Sequence, residues 1–255
     1  MTPDDAVSAL AAVPRLLIAL DFDGTLAPLQ DEPMASRMTP HAAAAVAALA
    51  RAPETTVAFV SGRSLRDLRV IAEHDDDSPI LLAGSHGAEQ WPTDAEATAD
   101  GEAEALRDEL SARAEEAAGT HDGAWIERKG FGFALHTRLA PPDAARAAGQ
   151  EVDAIMTERA PAWRRRTGHD ILEFSFRDEG KDVAVARLRA LTQASAVLFA
   201  GDDVTDEDAL RSLGPGDVGV RVGPGETAAA VRVGDITELA EMLVHLARER
   251  TLARQ

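Results

Sequence analysis

The segment "LLIALDFDGTLAPL" runs a stretch of hydrocarbon into two aspartates, Asp21 and Asp23, with Gly24 and Thr25 directly behind them. Carboxylates at the end of an apolar run are costly unless a positive charge holds them. In an extended chain residues i and i+2 point the same way, so both carboxylates face one cavity. A second acidic group, Asp202, Asp203 and Asp206 in "GDDVTDED", follows the apolar run "AVLFAG". Its later acids suit a helix N-terminus with Thr205 as cap. Asp202 and Asp203 directly follow the run and read instead as ligands for a cation, which the first pair of acids already demands. Positive charge is carried almost entirely by arginine; the two lysines are Lys129 and Lys181. A compact ammonium and a planar guanidinium are not interchangeable, so both positions are candidate sites. Lys181 opens a helical pattern, where a cation is slightly disfavoured by the dipole.

The elements that must position these residues can be read from hydropathy. Residues 16–20, 56–61, 80–84, 196–201 and 218–222 are continuous apolar runs, as expected of parallel strands covered on both faces. Helical patterns begin at Thr39, Ser64, Lys181 and Asp235, with Thr39, Ser64 and Asp235 as N-caps. Strand and helix in alternation predict a doubly wound, Rossmann-like α/β core with a parallel sheet. Ligands bind at the carboxyl ends of such strands, where Asp21, Ser61 and Asp202 fall.

The alternation breaks between about 90 and 177. Two helical segments, 101–119 and 142–160, accompany two segments of period-two alternation, "AWIERKGFGFALHTR" and "HDILEFSF". This predicts an inserted α+β domain whose sheet has one wet face. The expected division is core 1–89, insert 90–177 and core 178–255. Glu127 and Lys129 share one face, His136 and Arg138 another single face, and Glu173 opposes Leu172 and Phe174. The arginine triple 164–166 reads as a solvated strand, and "VGPGET" as a glycine-rich turn.

Composition narrows the functions. A 255-residue chain with 45% apolar and 27% charged residues can form one large core or two modest ones. Its net charge of −18 disfavours nucleic acid and anionic lipid as partners. No apolar stretch approaches a membrane span, and "MTPDDAVSAL" lacks the cation of a secretory signal. With no cysteine there is neither a disulfide framework nor a thiolate metal site. A soluble, cytoplasmic protein is expected.

"DFDGTLAPL" resembles the first motif of the haloacid-dehalogenase-like phosphohydrolases. The rest of that pattern follows in order: Ser61 in "FVSGR", Lys181 at a helix start, and "GDDVTDED" after a fourth strand. The resemblance implies an α/β core with an inserted cap domain and an Mg²⁺ cofactor. It implies that Asp21 is the nucleophile forming an aspartyl-phosphate, and that Asp23 is the general acid and base. Mg²⁺ would lie between Asp21, the Asp23 backbone carbonyl and Asp202, with Asp203 and Asp206 supporting its water shell or Lys181. Lys181 would neutralise the nucleophile and phosphate, while Thr25, Ser61, Gly62 and Arg63 would contact the phosphoryl group.

Within the insert, "IERKGFGFALHTR" and "DILEFSF" resemble the cap signature of the trehalose-6-phosphate phosphatases, as do "GSHGAE" and "GDDVTDEDAL" outside it. That resemblance implies that Glu127, Lys129, His136, Arg138 and Glu173 line a sugar site, and that the partner is a sugar phosphate. It also implies a functional link to a trehalose-phosphate synthase, and closure of the cap over the core. The residues agree, since carboxylates accept from sugar hydroxyls and lysine donates. Thr137 stands where that family has tyrosine, and Asp182 where it has glycine. Open alternatives are a phosphatase for another sugar phosphate or a glycosyl-phosphoglycerate, a mutase, and a non-catalytic sugar-phosphate-binding subunit.

Overall fold

The computed structural model describes residues 1–30, 32–92, 101–168 and 170–254. In chain order the elements are α1 (Pro3–Ala11), β1 (Leu16–Leu20), α2 (Pro40–Ala50), β2 (Thr55–Val60), α3 (Leu65–Ile71), β3 (Leu81–Gly84) and β4 (Glu89–Trp91). Next come α4 (Gly101–Ala118), β5 (Trp125–Lys129), β6 (Gly132–His136), α5 (Pro142–Arg159), β7 (Arg164–Gly168) and β8 (Ile171–Ser175). The chain ends with α6 (Lys181–Thr192), β9 (Ala196–Gly201), α7 (Glu207–Ser212), β10 (Val218–Val222), β11 (Val231–Val233) and α8 (Ile236–Leu252). Two compact units result, Met1–Asp94 with Glu179–Gln255, and Ala95–Asp178.

The first unit is built on a sheet in the order β11-β10-β9-β1-β2-β3-β4, parallel except for the β3–β4 pair. The continuous apolar runs are its five longest strands, as expected. Every residue of β1 is buried. Leu16, Ile18 and Leu20 face a core shared with α1, α2, α3 and α8, whereas Leu17 and Ala19 face one shared with α6 and α7. That two-sided burial is why the run reads as hydrocarbon rather than alternating. Thr39, Ser64 and Asp235 each accept a backbone N–H of their helix's first turn.

The short elements depart from expectation. Helix α1 begins in a capping box between Thr2 and Asp5 that the sequence reading overlooks. Strands β4 and β11 have three residues each, too few to leave a periodicity. Gln90 and Trp91, expected at the start of the insert, therefore belong to the core sheet, where they pair with Ala83 and Leu82.

The second unit is a four-stranded antiparallel sheet, β5-β6-β8-β7. One face carries Phe133, Leu135, Leu172 and Phe174, packed against Leu110 and Ala114 of α4 and Val152 and Met156 of α5. The other face carries Glu127, Lys129, His136, Arg166 and Glu173. Residues 93–100 of the expected insert and His169, which opens the segment "HDILEFSF", lie outside the described residues.

Candidate active site

Strand β1 delivers Asp21 to its carboxyl end, where the Asp21 amide still bonds to the Ala200 carbonyl at 2.9 Å. The chain then reverses: the amides of Leu26 and Ala27 both donate to the Phe22 carbonyl. The turn requires Gly24, whose φ is +84°. It also needs the missing side chain, because a Cβ there would stand 2.0 Å from Asp202 Oδ2. Thr25, fully buried, donates its hydroxyl to Asp202 Oδ1 at 3.2 Å. "DGT" is thus the seat into which the acid from β9 fits.

Lys181, the first residue of α6, is 3% exposed. Its Nζ lies 2.6 Å from Asp21 Oδ1 and 2.6 Å from Asp206 Oδ1. The second Asp206 oxygen accepts the amides of Asp202 (3.0 Å) and Asp203 (2.9 Å), so Asp206 fixes both the lysine and the loop. The Asp203 carboxylate instead caps the short turn 204–206. The N-cap position of α7 is therefore Asp206 rather than Thr205, and of the two supporting acids it is Asp206 that holds Lys181.

The donor set fits a hard divalent cation. Asp21, Asp202 and Asp206 each place a carboxylate oxygen within 4.8 Å of the others, and all are oxygen donors. Burial, then the neighbouring Asp206 and Asp202 charges, pushes the Asp21 carboxyl well above its ordinary range against the pull of Lys181. Burial, then Asp206, pushes Asp202 up to about 6. Burial would lower the Lys181 ammonium, but Asp206 and Asp21 outweigh it and hold its pKa above the ordinary value. A single ammonium among three carboxylates leaves negative charge that a metal ion would neutralise. Since Asp206 already serves Lys181 and two amides, Asp21 and Asp202 are the acids best placed to bind it.

Asp23 is held by partners from two other loops. Its carboxylate takes a bidentate contact from Arg63, Nε to Oδ2 at 2.6 Å and Nη2 to Oδ1 at 2.8 Å. It also accepts the Ser36 hydroxyl at 2.7 Å. Ser36, fully buried, was missed because a serine in a loop carries no sequence signal. Ser61 follows β2 and accepts the Arg63 amide at 3.2 Å. The His86 amide donates to the Ser61 carbonyl. A Cβ on Gly62 would meet the His86 ring at 2.7 Å, and Ser85 and His86 both have positive φ. The structure thus gathers Asp21, Asp23, Thr25, Ser61, Gly62, Arg63, Asp202, Asp203 and Asp206 in the segments after the central strands β1, β2 and β9, with Lys181 at the start of α6. It adds Ser36 and His86.

In the second unit the hairpin register decides which side chains meet. Glu127 and Glu173 both stand opposite Ala134, and Trp125 opposite His136. Directly opposed residues of an antiparallel pair share a face, so His136 joins Glu127 and Lys129 rather than occupying another face. His136 Nε2 lies 2.8 Å from Glu127 Oε2, and Lys129 Nζ donates to Glu173 Oε2 at 2.6 Å. Burial would raise the Glu127 carboxyl, but the His136 hydrogen bond and Lys129 hold it below its ordinary value. Arg138 lies outside the strand, exposed in the turn after β6. Arg166 is not solvated: its side chain is 9% exposed and pairs with Glu173 Oε1 at 3.5 Å. Counting arginines in a row could not reveal this, because alternate members point to opposite faces.

Comparison with known proteins gives this geometry its context. A family model described as trehalose-phosphatase matches residues 19–235. A trehalose-phosphate phosphatase from Mycobacterium marinum is 32% identical over 271 residues, covering 96% of this chain and 66% of that one. The chain thus spans just under two thirds of that relative's length. The trehalose-6-phosphate phosphatase of Escherichia coli K12 is 29% identical over 228 residues, covering 86% of this chain and 82% of its own. In fold, the C-terminal domain of the C. albicans trehalose-6-phosphate phosphatase superposes with a TM-score of 0.83 at 20% identity, covering 96% and 97% of the two chains. The family match runs from β1 to the cap of α8 and takes in both acidic loops, the lysine between them and the polar sheet of the insert; the chain belongs to the trehalose-phosphatase family.

Proposed function

We propose that this chain hydrolyses trehalose 6-phosphate to trehalose and inorganic phosphate, with Mg²⁺ as cofactor. The observation that carries the reading is the buried ammonium of Lys181 bridging Asp21 and Asp206, with Asp202 seated against Gly24 beside them. A lone lysine leaves this cluster negative, and an approaching phosphate dianion would add to that charge. Mg²⁺ would be held by Asp21, Asp202 and the Asp23 backbone carbonyl, where it supplies the charge neutralisation that lets an anionic carboxylate meet an anionic ester.

The chain's own residues then divide the work. Asp21 Oδ attacks phosphorus, forming an acyl-phosphate bond while the bond from phosphorus to the sugar oxygen breaks. Asp23 delivers a proton to the departing oxygen. It then takes a proton from the water that attacks the acyl phosphate, which returns Asp21 as a free carboxylate and releases phosphate. For this exchange Asp23 must part from the Arg63 and Ser36 contacts it makes in the structure. Thr25, Ser61, Gly62 and Arg63 provide donors for phosphoryl oxygens, and Lys181 keeps Asp21 compensated throughout. On the insert, Glu127 and Glu173 accept from sugar hydroxyls, and Lys129, His136 and Arg138 complete the polar site.

In this reading the unit Ala95–Asp178 is a cap inserted into the core. The absence of cysteine suits a reducing, cytoplasmic setting, and the substrate is one that a trehalose-phosphate synthase would supply. Among the described residues no helix is long and apolar enough to cross a membrane. The test is phosphate release from a panel of sugar phosphates with Mg²⁺ present, for the native chain and Asp21→Asn. The expected outcome is a strong preference for the trehalose ester, abolished by the substitution with the fold retained. Equal turnover of unrelated sugar phosphates would overturn the substrate, and retained activity in Asp21→Asn the covalent route.

A further inference from the structure

Aromatic residues make up 4% of this chain, and among the described residues Trp125 is the one aromatic side chain in the set of exposed large hydrophobics, at 45%. The other two tryptophans are engaged in packing: Trp163 lies edge-on to Phe176, and Trp91 meets His74 and Arg69. An exposed indole is an expensive use of a scarce residue, and its position is not arbitrary. It lies on the polar face of the insert sheet, at the start of edge strand β5, directly opposite His136. Its ring stacks on the imidazole, with centroids 4.2 Å apart and planes 9° from parallel. His136 in turn is fixed by Glu127 at 2.8 Å. The indole plane is therefore held in place by a three-member array, Trp125–His136–Glu127, while much of its surface stays open to solvent.

We propose that Trp125 is a specificity-determining residue: a stacking platform for one pyranose ring of the substrate, beside Glu127. The proposal rests on the sugar-phosphate reading above and deepens it. Successive same-face residues on a strand stand about 6.7 Å apart, so one ring of pyranose size reaches both the indole and the Glu127 carboxylate. A pyranose carries C–H groups on its faces and hydroxyls on its rim. The C–H face lies on the aromatic plane, and rim hydroxyls donate to the carboxylate. The next row of the same face, Glu127, Ala134, Glu173 and Arg166, is polar except for the small Ala134, which leaves room between the two acids. A carboxylate flanking the platform disfavours an anionic occupant and suits a neutral, hydroxyl-rich one.

The experiment compares kcat/KM for trehalose 6-phosphate with kcat/KM for ethyl phosphate, a minimal ester with neither sugar nor aromatic ring, in the native chain, Trp125→Ala and Trp125→Phe. The ratio of the two should fall about tenfold in Trp125→Ala, carried by KM rather than kcat, and recover most of that loss in Trp125→Phe. If Trp125→Ala melts early, Trp125→Leu carries the same test, since it keeps apolar bulk without a flat ring. An unchanged ratio, or an equal loss on both substrates, overturns the proposal, because the tryptophan would then only support His136. Should the native chain prefer a different sugar phosphate, the trehalose assignment falls, and the same ratio measured with the preferred sugar still decides the role of Trp125.

Discussion

Without a bound metal the protein should lose stability as the pH rises toward neutrality, and Asp202 gives the magnitude. Burial, with Asp206 next, raises its pKa from 3.8 to about 6. A carboxyl whose pKa is higher in the folded chain than in the unfolded one binds its proton more tightly when folded. Its contribution is complete below the unfolded value and is lost as pH rises through the folded value. A shift of about two units corresponds to about 3 kcal/mol in all, at about 1.4 kcal/mol per unit. On the order of 1 kcal/mol of this falls between about pH 5 and about pH 7.5, because the rest is lost at lower pH. For a chain of this size that is a fall in Tm of a few degrees. Asp21 is shifted in the same direction and adds to the trend where it titrates in this window. The assay is thermal melting of EDTA-treated protein at the two pH values, alone and with excess Mg²⁺, for the native chain and Asp202→Asn. The metal-free native chain should lose stability on raising the pH. Mg²⁺ should abolish the loss by binding the ionised folded form, and Asp202→Asn should show a smaller one. A metal-free chain that is equally stable at both values, or an Asp202→Asn variant with the same fall, would refute the reasoning.

Two further outcomes follow from close contacts. Gly24→Ala should lower turnover at least a hundredfold and weaken Mg²⁺ binding, because its Cβ would stand 2.0 Å from Asp202 Oδ2 at a φ of +84°; the strain adds about 1–2 kcal/mol, and steady-state kinetics with metal titration reads both. Arg250 is fully buried and donates to the carbonyls of Leu10, Ala11, Val13, Pro53 and Glu54 and to the Thr55 hydroxyl. Arg250→Met should cost about 3 kcal/mol by stranding those acceptors. Chemical denaturation measures this, and Arg250→Lys should restore only part, since an ammonium has three donors against five.

The amino-acid sequence alone picked out the two acidic groups and the strands that carry them. Leu16–Leu20 and Ala196–Gly201 are buried on both faces, so their hydrocarbon is continuous, and a charged residue directly after such a run stands out against it. Lys181 stood out for the same reason, as a rare ammonium at a helix start. What tertiary structure decided is how side chains from distant segments share their contacts. Asp206, rather than Asp203, receives the lysine, because a capping turn consumes the Asp203 carboxylate. Asp23 is gripped by Arg63, forty residues away, and by a serine with no pattern around it. In the insert, alternation gave each strand's parity but not how one strand's parity meets the next. The hairpin with Lys129 opposite Gly132 sets that register and brings Trp125, Glu127, Lys129 and His136 to one face. Arg166 and Glu173 meet only because β7 lies beside β8. Local pattern records burial, which each residue experiences by itself; pairing depends on registers and loop paths that belong to the folded chain as a whole.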